Sequence, residues 1–127
     1  MVIEITAPLA NPETESFWKA CNERKLLYKF CNACREPHYY PRTHCPFCFS
    51  DETVWKEASG EGTIYTYSVM RAGPEPYAVA FVTLAEGPTL LSNIVDSNLD
   101  DLQIGKTVRL SFRQSTDGPL VPMFICT

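Results

Sequence analysis

Cys31-Asn32-Ala33-Cys34 and Cys45-Pro46-Phe47-Cys48 are two C-x-x-C pairs with ten residues between them. A C-x-x-C turn aims two thiolates at one point. Two such turns facing each other complete a tetrahedral S4 set, which suits zinc. The separation is short, yet long enough for a hairpin finger. Four thiolates leave no coordination position for water, so the metal would be structural rather than catalytic. The pairs predict how one segment folds, not what the protein does.

The remaining reactive side chains point to no catalysis. His38 and His44 are the two histidines. His44 adjoins Cys45 and could replace a thiolate as ligand, but a solvent-facing finger residue is expected. Neither has a Ser, Cys or carboxylate beside it in a motif for nucleophilic attack. Cys21 and Cys126 lie far apart in sequence and are expected to be buried, inert thiols. Asp96, Asp100, Asp101 and Asp117 fall at turn signals, where Asp belongs for backbone reasons. No catalytic residue is assigned.

The chain has 127 residues, 45% of them hydrophobic. That allows one compact domain or two small subdomains. A ribbon of about 25 residues cannot hold itself by apolar burial, so metal has to supply its folding energy. The cysteine pattern, a start (Met1-Val2-Ile3-Glu4) without a basic and apolar leader, and the lack of a membrane-length apolar run suggest a reducing cytoplasm and no membrane partner. The net charge is −4. Residues 1–50 carry six Lys/Arg against five Asp/Glu, and residues 51–127 five against ten. The acidic second half has no counterion-release term to hold nucleic acid, so none is expected as a partner.

Three segments follow from local signals. Residues 1–25 read as an extended arm ending near Pro8 and a helix over about 12–25, started by Asn11-Pro12-Glu13. Phe17, Ala20, Cys21 and Arg24 would share one helix face, with Trp18 beside it. Residues 26–57 read as the ribbon: a strand at 26–30, the two knuckles, and a strand at 54–58. Residues 58–127 are β-rich. Gly60 and Gly62 suggest a bulge or tight bend. Strands are expected at 63–71, 77–85, 89–96, 107–113 and 121–126, with a single helical turn at 98–102. In the first of these Tyr65, Tyr67 and Val69 would share a face. The expected fold is mainly β: an N-terminal helix, a rubredoxin-like four-Cys zinc ribbon, then a five-stranded Greek-key barrel of OB type.

The order of these motifs resembles a known family. Phe17-Trp18 on the helix is followed by the four-Cys ribbon with Tyr40-Pro41 between its knuckles. Then come Gly60-Glu61-Gly62-Thr63-Ile64-Tyr65, Glu86-Gly87-Pro88 through Asp96, and Ile104-Gly105-Lys106 through Leu110. Over about residues 12–125 the chain is similar to the acyl-CoA-associated zinc-ribbon/OB-fold family, domain of unknown function thirty-five. The resemblance implies a non-catalytic accessory subunit of an acyl-CoA-processing complex. It would dock on a thiolase-like enzyme, whether thiolase, retro-aldol lyase or acyltransferase, and shape its substrate channel. It also implies structural zinc, a hetero-oligomer, and acyl-CoA at a shared site. CoA phosphates would then sit on the partner or near Lys19, Arg24, Lys25 and Lys29. The alternatives are a free-standing acyl-CoA or acyl-carrier binding module and a nucleic-acid-binding OB protein.

One departure from the family pattern bears on the knuckles. The residue after a knuckle's second Cys is often Gly, because the turn favours φ > 0. Here these residues are Arg35 and Phe49, which predicts strain or a different turn. For the partner surface, Phe17, Trp18, Tyr77 and Phe81 are the candidate anchors, since buried aromatics dominate interface energetics. Trp18 has a competing reading as an internal staple between ribbon and barrel. The strand Tyr77–Ala85 is apolar on both faces. One face fills the barrel, and the other needs a cover from the chain itself or from a partner.

Overall fold

The computed structural model describes residues 4–127. The first three residues of the expected arm lie outside that range. At the start of the helical segment, the Asn11 side-chain oxygen accepts hydrogen bonds from the Glu13 and Thr14 amides, at 3.0 and 3.1 Å. In return the Asn11 amide donates to Thr14 Oγ1 at 2.9 Å. Asn11 thus organises a turn, and the helix α1 (Glu15–Asn22) begins after it. It is shorter than the expected span at both ends. The C-terminal limit is Arg24, whose φ of 60° no right-handed helix accepts. Arg24 accordingly leaves the apolar face and is exposed, while Phe17, Trp18, Ala20 and Cys21 are buried.

Strands β1 (Leu27–Cys31), β2 (Pro37–His38) and β3 (Thr53–Glu57) form an antiparallel sheet in the order β2-β1-β3. Its register pairs Lys29 with His38 on one side and with Trp55 on the other. Five further strands follow: β4 (Glu61–Met70), β5 (Tyr77–Leu84), β6 (Thr89–Ile94), β7 (Thr107–Gln114) and β8 (Leu120–Cys126). They close a barrel in the order β4-β5-β6-β8-β7. A single 3-10 turn, Leu99–Asp101, precedes β7 and is capped by Asn98. The strand order and the helical turn before the fourth barrel strand are those of an OB-fold.

The faces of β4 differ from the simple alternation. Gly62 and Ile64 point into the barrel, and the register with β5 then shifts between Ile64 and Thr66. A bulged residue reverses which parity faces inward. Tyr67 and Val69 therefore join the core periphery, while Tyr65 is exposed. The bulge sits at Tyr65 and not at the glycines. Gly62 has a different reason: a Cβ there would meet Val82 Cγ1 at 2.8 Å and the Thr83 carbonyl oxygen at 2.9 Å.

One apolar core runs through all three segments. Phe17, Trp18 and Cys21 of α1, Leu26 and Tyr28 of the ribbon, and Ala80, Val82, Leu84, Ile94, Val108 and Phe124 of the barrel belong to the same cluster. Polar ties reinforce the joins. The Glu13 carboxylate accepts the Thr43 amide at 2.6 Å, linking the helix start to the second knuckle. The Asn22 side-chain oxygen accepts the Leu120 amide at 3.0 Å, linking the helix end to β8. The arm crosses the β7–β8 turn, where the Thr116 amide donates to the Ile5 carbonyl at 2.8 Å.

Candidate metal centre and partner-facing surface

The two knuckles share one hydrogen-bond plan. The Arg35 amide donates to the Cys31 carbonyl at 2.8 Å, and the Phe49 amide donates to the Cys45 carbonyl at 2.8 Å. Both turns need a left-handed residue after the second Cys, and Arg35 and Phe49 supply it at φ 61° and 66°. The departure from glycine therefore leaves the turn intact and puts strain on a side-chain-bearing residue. The knuckles meet face to face. Cys31 Sγ lies 3.6 Å from Cys48 Sγ, and Cys34 Sγ lies 3.6 Å from Cys45 Sγ.

All four sulfurs lie within 4.8 Å of one another. A tetrahedral zinc with bonds of ~2.3 Å requires sulfur–sulfur edges of ~3.8 Å, so the cage fits the ion. Burial raises the Cys45 thiol, but the Cys48 and Phe47 amides and the neighbouring thiols outweigh it and bring it down to about 7. The Phe47 amide lies 3.4 Å from that sulfur. Amides aimed at sulfur favour the thiolate that a metal requires. This is a zinc-ribbon site, and four thiolates fill the coordination shell. His44 is exposed.

The predicted anchors divide by depth. Phe17 is fully buried and Trp18 is 9% exposed. Their rings meet edge to face at 4.8 Å, and Phe17 also meets Tyr39 of the ribbon at 5.6 Å. Helix periodicity placed the two on adjacent surfaces but could not say whose surface each met. Both are committed to the chain's own core, which is how an internal staple is placed. The Trp18 indole nitrogen is buried without a hydrogen-bond partner. Tyr77 and Phe81 lie on the outward face of β5, with Tyr77 half-buried and Phe81 44% exposed. The chain does not cover that face with its helix, which packs against β8 and β1.

Leu91, Tyr40 and Phe47 are exposed apolar residues that sequence reasoning did not single out. Leu91 pairs with Phe81 across β5 and β6 and extends the same face. The Leu90-Leu91 doublet carried the signal, since a strand must turn one of two neighbours outward. Lys29, a candidate phosphate contact, lies 4.4 Å from the Trp55 ring centroid. Burial lowers its pKa, with Glu13 acting in the opposite sense. Lys19, Arg24 and Lys25 are exposed.

Cys21 is fully buried, and burial pushes its thiol up to about 12, so it is inert at neutral pH. Asp96 and Asp117 occupy left-handed turn positions at φ 48° and 54°. Asp96 accepts from Arg113 and Asp100 accepts from Arg71 in exposed ion pairs. Among the described residues, no helix is long and apolar enough to cross a membrane.

Comparisons with known proteins agree with this geometry. Residues 18–54 match the family model described as the ChsH2 rubredoxin-like zinc ribbon domain, and residues 55–113 match the ChsH2 C-terminal OB-fold domain. A Methanocaldococcus jannaschii protein named as a DUF35 domain-containing scaffold protein is 34% identical over 106 residues, covering 76% of this chain and 74% of its own. A Thermomonospora curvata protein named "probable enoyl-CoA hydratase alpha subunit" is 32% identical over 122 residues. The match covers 92% of this chain but 38% of that subunit's length. A solved structure titled Ltp2-ChsH2(DUF35) aldolase superposes with a TM-score of 0.81 at 31% identity, covering 94% of this chain and 98% of that one. With its four-thiol ribbon, its closed barrel and relatives of this similarity, the chain belongs to the DUF35 family of zinc-ribbon/OB-fold proteins.

Proposed function

We propose that this chain is a non-catalytic accessory subunit of an acyl-CoA-processing complex. It docks on a thiolase-like enzyme and lines the acyl end of that enzyme's substrate channel. The observation that carries the reading is the apolar outer face of β5 and β6, where Phe81 and Leu91 pair across the strands and stay exposed. A face of this kind on a small body marks an interaction surface. Three relatives support the reading: one named a scaffold, one part of an aldolase complex, and one a subunit of a hydratase. The closed four-thiol site supports a structural role for the metal. Tyr77 and Phe81 are proposed contacts; Phe17 and Trp18 act from inside, by fixing the helix on the core.

Co-expression with a thiolase-like protein of the same organism tests the reading. A stable complex of the two chains is the expected result. A chain that elutes alone from such a lysate, at full zinc content, would refute it.

A second reading, a free-standing acyl-CoA or acyl-carrier binding module, draws on one feature. A cavity of about 430 Å3 lies between the arm and the barrel, lined in part by Tyr77, Asn93, Arg113 and Met123. Calorimetry on the isolated chain decides between the two. Micromolar acyl-CoA affinity without a partner favours the second.

A further inference from the structure

The cavity of about 430 Å3 beside the arm has a particular place in the barrel. An OB-fold binds its ligands on the second and third strands, between the loop after the first strand and the loop after the fourth. Here the second and third strands are β5 and β6. Tyr77 at the start of β5, Asn93 near the end of β6 and Gln114 at the end of β7 all line the cavity. One wall is the arm, which is held on the β7–β8 loop. The Thr116 amide donates to the Ile5 carbonyl at 2.8 Å, and a Cβ on Gly118 would lie 2.5 Å from the Cβ of Ala7. The site is therefore formed before any ligand arrives. Its volume falls within the ~300–1,000 Å3 of small-molecule pockets.

The lining describes what would fit. Ile5, Val95 and Met123 supply apolar surface. The polar groups are mostly acceptors. Gln114 gives its amide hydrogens to the Ser115 and Gly118 carbonyls, at 2.9 and 2.7 Å. The Asn93 amide donates to the Ala78 carbonyl at 3.0 Å. These bonds fix which end of each side-chain amide is nitrogen. Among the described residues, neither side-chain carbonyl oxygen has a partner. Arg113 spends one terminal nitrogen on Asp96 and Ser111, and its other terminal nitrogen remains as a donor. Charge is the second constraint. The Glu4 and Asp96 carboxylates against the Arg113 guanidinium leave the lining one unit negative, in a chain of net charge −4. Phosphate is repelled there. The fitting ligand is uncharged and partly apolar, and it carries N–H or O–H donors beside a carbonyl.

We propose that this cavity takes the pantetheine arm of an acyl thioester. Its amide and hydroxyl hydrogens meet the Asn93 and Gln114 carbonyls, an amide carbonyl meets Arg113, and its methyl and methylene groups lie on Val95 and Met123. The nucleotide end of coenzyme A stays outside. The inference rests on the acyl-CoA role proposed above and names the portion of that substrate which this chain holds. Tyr77 belongs both to the cavity and to the outward face of β5, so an arm held here passes beside the surface proposed for docking.

The test uses the full zinc-loaded chain and S-butyrylpantetheine, an uncharged probe. In an NMR titration the side-chain amide resonances of Asn93 and Gln114 should shift saturably, with Kd between ~0.1 and ~10 mM, the range of a ligand this small. Thr6→Trp, at an exposed arm residue that lines the cavity, should weaken binding at least ~10-fold while zinc content and melting temperature stay at wild-type values. Ile104→Trp, at an exposed residue of the loop before β7, controls for the added indole and should bind as wild type does. The same probe carrying a 4′-phosphate should bind no tighter than the uncharged one. A gain of ~10-fold for the phosphate form would make the cavity an anion site and overturn the assignment. So would wild-type affinity in Thr6→Trp, the absence of a saturable shift, or a shift confined to residues outside the cavity. The docking role is read separately. A complex with the thiolase-like partner that forms while the probe leaves the cavity untouched keeps docking and refutes the cavity. A cavity that fills in a chain forming no complex refutes docking and keeps the cavity.

Discussion

Replacing Trp18 with alanine should unfold the join between ribbon and barrel before it affects any partner. A buried aromatic ring removes about 150–250 Å2 from water, which at ~25 cal/mol per Å2 corresponds to ~4–6 kcal/mol. The edge-to-face contact with Phe17 at 4.8 Å adds ~0.5–1.5 kcal/mol. Against this stand the surface that alanine still buries and the unpaired indole N–H, whose desolvation costs ~1–3 kcal/mol. The balance is a loss of ~3–5 kcal/mol, the usual range for such truncations. Unfolding entropy of ~2.1 cal/mol/K per residue over this length makes that a fall in melting temperature of ~11–19 °C. Differential scanning calorimetry on the zinc-loaded chain measures it, and Trp18→Phe is the control. Phenylalanine keeps most of the ring and removes the orphan donor, so its penalty should be less than half as large. If Trp18→Ala melts within 3 °C of wild type but no longer binds the thiolase-like partner, the residue is a surface anchor and the packing argument is wrong.

Three other outcomes follow from the same geometry. Cys45→Ser should bring zinc well below one ion per chain and lose hydrogen-exchange protection over about residues 26–57, while the strands of the barrel keep theirs; full metal occupancy in that variant would disprove the four-thiol cage. Phe49→Gly relieves a φ of 66° at an exposed residue and should raise stability in denaturant titration by ~0.5–1 kcal/mol, after allowing for the freedom glycine gains in the unfolded chain; a loss would mean that the Phe49 ring is held by something more than the turn. The Thr43 amide holds the Glu13 carboxyl below its ordinary value. A depressed carboxyl stabilises the fold above its unfolded pKa and loses that contribution as pH falls through the folded one. The stability gap between wild type and Glu13→Gln should therefore be present at neutral pH and close below about pH 4, and a gap that persists at pH 2 would exclude the charge as its source.

The parts of this fold that were legible in sequence are those fixed by short-range geometry. The C-x-x-C spacing specifies a knuckle whatever surrounds it, and the pattern around Val108 specifies a strand. Even the anomaly at Arg35 and Phe49 was readable, because a knuckle demands φ > 0 of whatever residue occupies the position. What was not legible depends on partners distant in sequence. The Tyr65, Tyr67, Val69 alternation gives no sign of the bulge that leaves Tyr65 outward while Tyr67 and Val69 turn toward the core. Asn11-Pro12 looks like a helix start, but its side-chain bonds close a separate turn first. Trp18 looks available because local periodicity does not reveal that Leu26 and Tyr28 close over the helix as part of the same core.

The metal site and the proposed contact surface are coupled through the ribbon. A filled four-thiolate shell has no vacancy for substrate, so whatever the metal does for function it does through shape. Phe47 sits between Cys45 and Cys48, and its amide points at the Cys45 sulfur. The exposed ring therefore takes its position from the knuckle itself. On the opposite side of the sheet order, β2 places His38 through its pairing with Lys29 of β1, two residues before Cys31. Removing zinc would free the ribbon segments around His38 and Phe47 while leaving the hydrogen bonds of the closed barrel in place. Chelation should thus abolish partner binding at concentrations where the barrel's circular dichroism is unchanged. Binding that survives complete metal removal would place the contact on the barrel alone, at Tyr77 and Phe81, and would leave the zinc ribbon without a part in assembly.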